Sequence, residues 1–129
     1  MRVILVEDEK ALASIMKKGL EENGYSVDVA YDGEEGLAVI RRELPALVVL
    51  DLVMPKMTGF ELLEKLSADP QISRIPVVVA SNLGQESDIQ KAKNLGVRDY
   101  YVKVQTSGDE LVKMFKTIVD KGSTNQAIT

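Results

Sequence analysis

The chain has 129 residues, which fits one domain burying roughly two-thirds of its unfolded surface and leaves no room for a second. Its 16 basic and 20 acidic residues give a net charge of −4, and the doublets Lys17-Lys18 and Arg41-Arg42 lie inside amphipathic patterns, so direct nucleic-acid binding is not expected. The absence of cysteine and histidine excludes disulfides, thiolate catalysis, soft-metal sites, imidazole bases and His-ligated metals.

In chain order, the first strand is expected at Val3 to Val6. Glu7 cuts this apolar run, which is too short for a signal-peptide core. No segment approaches the roughly 18 apolar residues of a membrane span, and the expected location is the cytoplasm. Leu12, Ile15, Met16 and Leu20 follow at helical spacing, with Gly24 as a stop. The second strand is expected at Tyr25 to Ala30. Asp32, with Glu35 three residues on, reads as a helix N-cap.

Ala46 to Leu50 is the third strand. Thr58 with Glu61 opens a helix carrying Leu62, Leu63 and Leu66. The fourth strand is expected at Ile75 to Ala80, followed by the Ile89, Ala92 and Leu95 pattern, Gly96, and a fifth strand at Arg98 to Val102. Ser107 with Glu110 caps a last helix bearing Leu111, Met114, Phe115 and Ile118, with Gly122 as its stop. Several strands are Val/Ile-rich enough to be covered on both faces, and strand–helix alternation with short connections implies right-handed crossovers. The expected fold class is α/β in three layers. Residues 1–121 form the domain, and 122–129, lacking a core pattern, are expected to be mobile as a native tail or a severed linker.

Ligands of open parallel sheets bind beyond the carboxyl ends of the strands. Glu7, Asp8, Asp51, Ser81 and Lys103 all fall there, and a strand order of 2-1-3-4-5 gathers them on one rim although Asp8 and Lys103 are 95 positions apart. Each has a plainer account taken singly. Acids suit a helix start, a strand-end lysine is usually solvated, and a serine can satisfy backbone. Asp51 resists that treatment, because Leu47 to Leu50 and Leu52-Val53-Met54 flank its carboxylate with apolar residues on both sides, so it needs a partner. Together these residues suit an aspartate that accepts a phosphoryl group, a poor nucleophile that needs a divalent ion and a fixed ammonium to offset transition-state charge. With no histidine in the chain, the donor must come from outside.

At these positions the chain resembles the receiver domain of two-component response regulators, over residues 1 to about 121. The most specific stretch is Asp51-Leu52-Val53-Met54-Pro55-Lys56-Met57-Thr58-Gly59, carrying D-x-x-M-P-x-M-x-G; Val3 to Glu9, Asp32 to Leu37 and Asp99 to Lys103 follow the same family's pattern. The resemblance implies a flavodoxin-like (βα)5 fold with a five-stranded parallel sheet. It implies that Asp51 takes a phosphoryl group from a sensor histidine kinase or phosphotransfer protein. Mg²⁺ would be held by Asp8, Asp51 and the Val53 carbonyl, with Glu7 reaching it through water. Ser81 and Lys103 would contact phosphoryl oxygens, and Tyr100 matches the switch aromatic. The output would be a face of the fourth helix, fifth strand and fifth helix, meeting a downstream protein.

Such a protein is a phosphoacceptor switch, assisting its own phosphorylation and slow dephosphorylation, and not an enzyme in the ordinary sense. Val53 and Leu83, apolar where a polar side chain could orient water, predict slow loss of the phosphoryl group. Two residues depart from the common pattern: Val104 stands where proline usually follows the lysine, and Asn82 where a small residue usually follows the hydroxyl. A haloacid dehalogenase-type phosphatase would want an acid at Val53, and a flavin phosphate would be repelled by Glu7-Asp8-Glu9. The alternative is a phosphorylation-independent interaction module. No effector pattern follows the last helix, so output by protein contact is expected unless an effector has been removed.

Overall fold

The structure, a computed structural model, describes residues 1–103 together with Glu110, Lys113, Lys116 and Thr117. Elements run β1 (Arg2–Val6), α1 (Lys10–Glu22), β2 (Ser26–Ala30), α2 (Gly33–Glu43), β3 (Leu47–Leu50), α3 (Gly59–Ala68), β4 (Val77–Ser81), α4 (Glu86–Asn94) and β5 (Asp99–Val102). All neighbouring strands pair in parallel, as the alternation of elements predicts, in the order β2-β1-β3-β4-β5 expected to gather the strand-end residues. The cap at Ser107, the last helix's apolar positions, Val104, Gly122 and the 122–129 tail lie outside the described residues.

Successive strand residues point to opposite faces, and two cores result. Ile4, Val6, Val48, Leu50, Val77 and Val79 meet Leu37 and Ile40 of α2, Leu62, Leu63 and Leu66 of α3 and Ala92 of α4. Val3, Leu5, Leu47, Val49, Val78 and Ala80 meet Ala13, Met16 and Leu20 of α1 on the other face. The β1 and β3 members of both sets are wholly or almost wholly buried, which is why these strands read as unbroken apolar runs.

Local chemistry sets the boundaries. Tyr25 begins no strand, because its N–H closes the end of α1 on the Leu20 carbonyl at 3.2 Å. β4 starts at Val77, after a proline that has no N–H for the ladder, and runs on to include Ser81. Thr58 and Glu61 form a complete capping box, whereas Asp32 accepts from the Glu35 N–H at 2.8 Å and Glu35 reaches back to Tyr31 instead of to Asp32. Gly24 and Gly96 follow α1 and α4 with φ of 91° and 96°. α2 instead ends on Leu44 at φ 47°, so this helix stops in the left-handed region without a glycine.

Candidate functional site

β1 and β3 are adjacent, with Val6 opposite Leu50, so the residues that follow them emerge side by side at the carboxyl edge. Carboxylate oxygens of Glu7, Asp8 and Asp51 lie within 4.8 Å of one another; Glu7 and Asp51 are buried and Asp8 is exposed. β5 brings Lys103 to the same place. Its Nζ donates to Asp51 Oδ2 at 3.2 Å, across 52 positions of sequence, and also bonds Glu7 Oε1. The ammonium therefore bridges two carboxylates, with no more than 9% of any of the three side chains exposed.

The remaining oxygens are held by backbone. Glu7 Oε2 accepts from the Glu9 N–H at 3.2 Å, and Asp51 Oδ1 accepts from the Val53 N–H at 3.3 Å. Val53 itself is 57% exposed, on the loop leaving β3. Burial pushes the Glu7 carboxyl up from 4.5 to about 7, helped by the Asp51 charge and opposed by Lys103 and the Glu9 N–H. Burial also disfavours the Lys103 ammonium, but the Glu7 and Asp51 carboxylates outweigh it and its pKa is raised.

Ser81 ends β4, next to β3, and is fully buried. Its Oγ accepts from the Leu83 N–H at 3.3 Å. Tyr100 packs against the core with its hydroxyl bonded to the Leu83 carbonyl. Burial raises the Tyr100 pKa and the Asp88 and Asp51 charges add to it, against a hydrogen bond from Ser81. Glu7, Asp8, Asp51 and Lys103 thus meet at the carboxyl edge with Val53 on the adjoining loop, while Ser81 and Tyr100 converge on Leu83 at the end of β4.

Sequence reasoning missed how the loop between Asp51 and Gly59 is held. Gly59 opens α3 so close to β3 that a Cβ there would stand 2.5 Å from both the Asp51 carbonyl oxygen and Leu52 Cα. Its N–H donates to the Leu52 carbonyl at 2.9 Å. Lys56 adopts φ 66° and pairs with Asp32 at 3.6 Å. A left-handed lysine carries no sequence signal; the glycine in D-x-x-M-P-x-M-x-G is the available clue to the close approach.

The donor set is hard oxygen without nitrogen or sulfur, the chemistry that magnesium, calcium and manganese accept. Three clustered acids with one ammonium leave negative charge that a divalent ion would offset, so these residues fit the Mg²⁺ expected from the resemblance. No described helix is long and apolar enough to cross a membrane.

Comparison with known proteins agrees with this geometry. The response regulator receiver domain family matches residues 3–116. The chain is 36% identical over 127 residues to "Probable transcriptional regulator ycf27" of Porphyridium aerugineum, covering 96% of this chain and 51% of that protein. It is 35% identical to protein PilH of Pseudomonas aeruginosa, covering 79% of this chain and 84% of that one. The Mn²⁺-bound form of response regulator Rcp1 superposes with a TM-score of 0.78 at 31% identity, over 91% of this chain and 90% of Rcp1. The chain spans about half the length of the transcriptional regulators it matches. It belongs to the response regulator receiver domain family of two-component signalling, whose members are phosphoacceptor switches with the CheY-like flavodoxin fold.

Proposed function

We propose that Asp51 is the phosphoacceptor, modified by a sensor histidine kinase or phosphotransfer protein. The observation that carries this reading is Lys103 Nζ, 3.2 Å from Asp51 Oδ2 in a cluster of three carboxylates of which two are buried. A carboxylate oxygen of Asp51 attacks phosphorus of the donor's phosphohistidine. The P–O bond forms as the P–N bond breaks, and the imidazole leaves with its electron pair and takes a proton. Asp8, Asp51 and the Val53 carbonyl would hold Mg²⁺, with Glu7 behind them; a bound divalent ion neutralises charge that develops on the transferring group.

Lys103 then exchanges its carboxylate contact with Asp51 for a phosphoryl oxygen, and the Ser81 hydroxyl donates to another. Moving Ser81 disturbs its contacts with Leu83 and Tyr100, which links the site to the face of α4 and β5. That face meets a downstream protein. Val53 and Leu83 offer no polar group to orient water against the acyl phosphate, so dephosphorylation is slow, and Val53→Asn accelerates it.

Acetyl phosphate with Mg²⁺ provides the test. The unaltered protein gains the mass of one phosphoryl group and Asp51→Asn does not. If neither gains mass, and beryllofluoride also leaves the Tyr100 environment unchanged, the domain is an interaction module that works without phosphorylation.

A further inference from the structure

The Asp32-Gly33 segment is untouched by the phosphoryl-transfer reading, yet the loop after Asp51 rests on it. A Cβ on Gly33 would lie 2.4 Å from the Met57 carbonyl oxygen and 2.7 Å from Met57 Cβ, so α2 and this loop touch where only a hydrogen fits. Because the nearest obstacle is backbone, a rotamer change cannot relieve it. Asp32 adds a second tie. The same carboxylate that caps α2 through the Glu35 N–H at 2.8 Å pairs with Lys56 at 3.6 Å. Lys56 holds φ 66° in that arrangement, a conformation that side chains disfavour and that neighbouring contacts must maintain.

The platform is itself fixed. A Cβ on Gly36 would fall 3.0 Å from both Val6 methyl carbons, so α2 lies tight against the strand that delivers Glu7. The loop is anchored by the Gly59–Leu52 hydrogen bond at 2.9 Å and the Gly33–Met57 contact, with Met54 buried in the core between them. Val53 lies on this span with its side chain 57% exposed, so its own packing does little to hold its carbonyl.

We infer that Gly33, Asp32 and Lys56 form a seat that positions the Val53 carbonyl for the metal, making them positioning residues of the site. Its consequence for metal binding rests on the reading given under Proposed function; the loop placement does not. Groups hydrogen-bonded to a metal's ligands change its affinity without touching the ion, commonly by about 10–100-fold, and a packing seat under a ligand's loop acts on the same ligand geometry.

The experiment compares Gly33→Ala with Gly24→Ala and Asp32→Asn. Gly24 has φ 91°, and a methyl group added there would meet nothing within 4 Å, so alanine strains the chain far from the site. Asn caps a helix as well as Asp does, so Asp32→Asn removes the carboxylate charge facing Lys56 while keeping α2. Two readouts are taken: backbone amide NMR shifts of Val53 and Met54 in metal-free protein, and calorimetric titration with MgCl₂ alone. Gly33→Ala is expected to move both amide signals and weaken Mg²⁺ about tenfold or more. Asp32→Asn shifts the same signals in the same direction by less. Gly24→Ala loses stability but leaves both readouts unchanged.

Unmoved Val53 and Met54 signals in both Gly33→Ala and Asp32→Asn overturn the seat, as does an equal Mg²⁺ loss in Gly24→Ala. If the unaltered protein neither binds Mg²⁺ nor gains a phosphoryl group, the functional reading fails, and the metal-free amide shifts still decide the seat.

Discussion

Replacing Lys103 with methionine keeps most of the side chain's apolar stem and deletes the ammonium. Glu7 and Asp51 are then left facing each other with side-chain exposures of 2% and 9%. Removing one partner from a buried ionic cluster costs about 3–5 kcal/mol, because the remaining charge stays out of water without compensation. Protonation limits the loss here. Burial already holds the Glu7 carboxyl at about 7, so without the ammonium it takes up a proton near neutrality. At pH 7.5 without metal, Lys103→Met should therefore cost about 3 kcal/mol, at the lower end of that range.

Glu7→Gln in the same background removes the surplus charge and should recover most of the loss, leaving a coupling of about 2 kcal/mol between the sites. Urea denaturation of the four proteins in EDTA measures the cycle. A Lys103→Met cost below about 1 kcal/mol, as for an exposed pair, would refute the reasoning, as would no recovery in the double variant.

Gly59→Ala should lower stability by about 2–3 kcal/mol and the melting temperature by roughly 6–12 °C, since the new methyl meets backbone atoms of Asp51 and Leu52 that must shift, and an unchanged calorimetric melting temperature would count against it. Leu44→Gly should add about 0.5–1 kcal/mol by releasing a 59%-exposed side chain from φ 47°, with an unchanged or lower urea midpoint counting against it. Tyr101 is pushed up to about 12 by burial and by its bond to Asp99 at 3.0 Å. The folded state keeps that proton while the unfolded chain releases it from pH 10, so the Tyr101 contribution is complete below pH 10 and is lost as pH rises through 12. Relative to Tyr101→Phe, the protein should lose about 1–2 kcal/mol across that window after allowance for part exposure, and parallel alkaline profiles would contradict this.

The rim was legible because its residues sit at the ends of strands, and the order 2-1-3-4-5 that would gather them is the order the sheet adopts. Once β1 and β3 are neighbours, Asp8 and Asp51 must approach, and β5 carries Lys103 toward them from the other end of the chain. The contacts that adjust the site were less legible, because they join side chains to backbone or pack a backbone against another. Nothing in the periodicity of Tyr100 points to the Leu83 carbonyl, and nothing about Lys56 marks a left-handed turn. Strand starts depended equally on single hydrogen bonds, as at Tyr25, and on the missing N–H of Pro76.

The helices are anchored by unequal burial. α2 buries Leu37, Val39 and Ile40 and α3 buries Leu62, Leu63 and Leu66, whereas α4 fully buries Ala92 and little else. Its other described restraints include the Leu83 and Leu95 side chains packed at its two ends, the Tyr100 hydroxyl on the Leu83 carbonyl before its first turn, and Lys91 Nζ 4.4 Å above the Phe60 ring. Elements held by so few apolar contacts open at low free energy. Among the described helices α4 is thus the least anchored, while Gly33 of α2 and Gly59 of α3 hold the loop between Asp51 and Gly59 by close backbone contact.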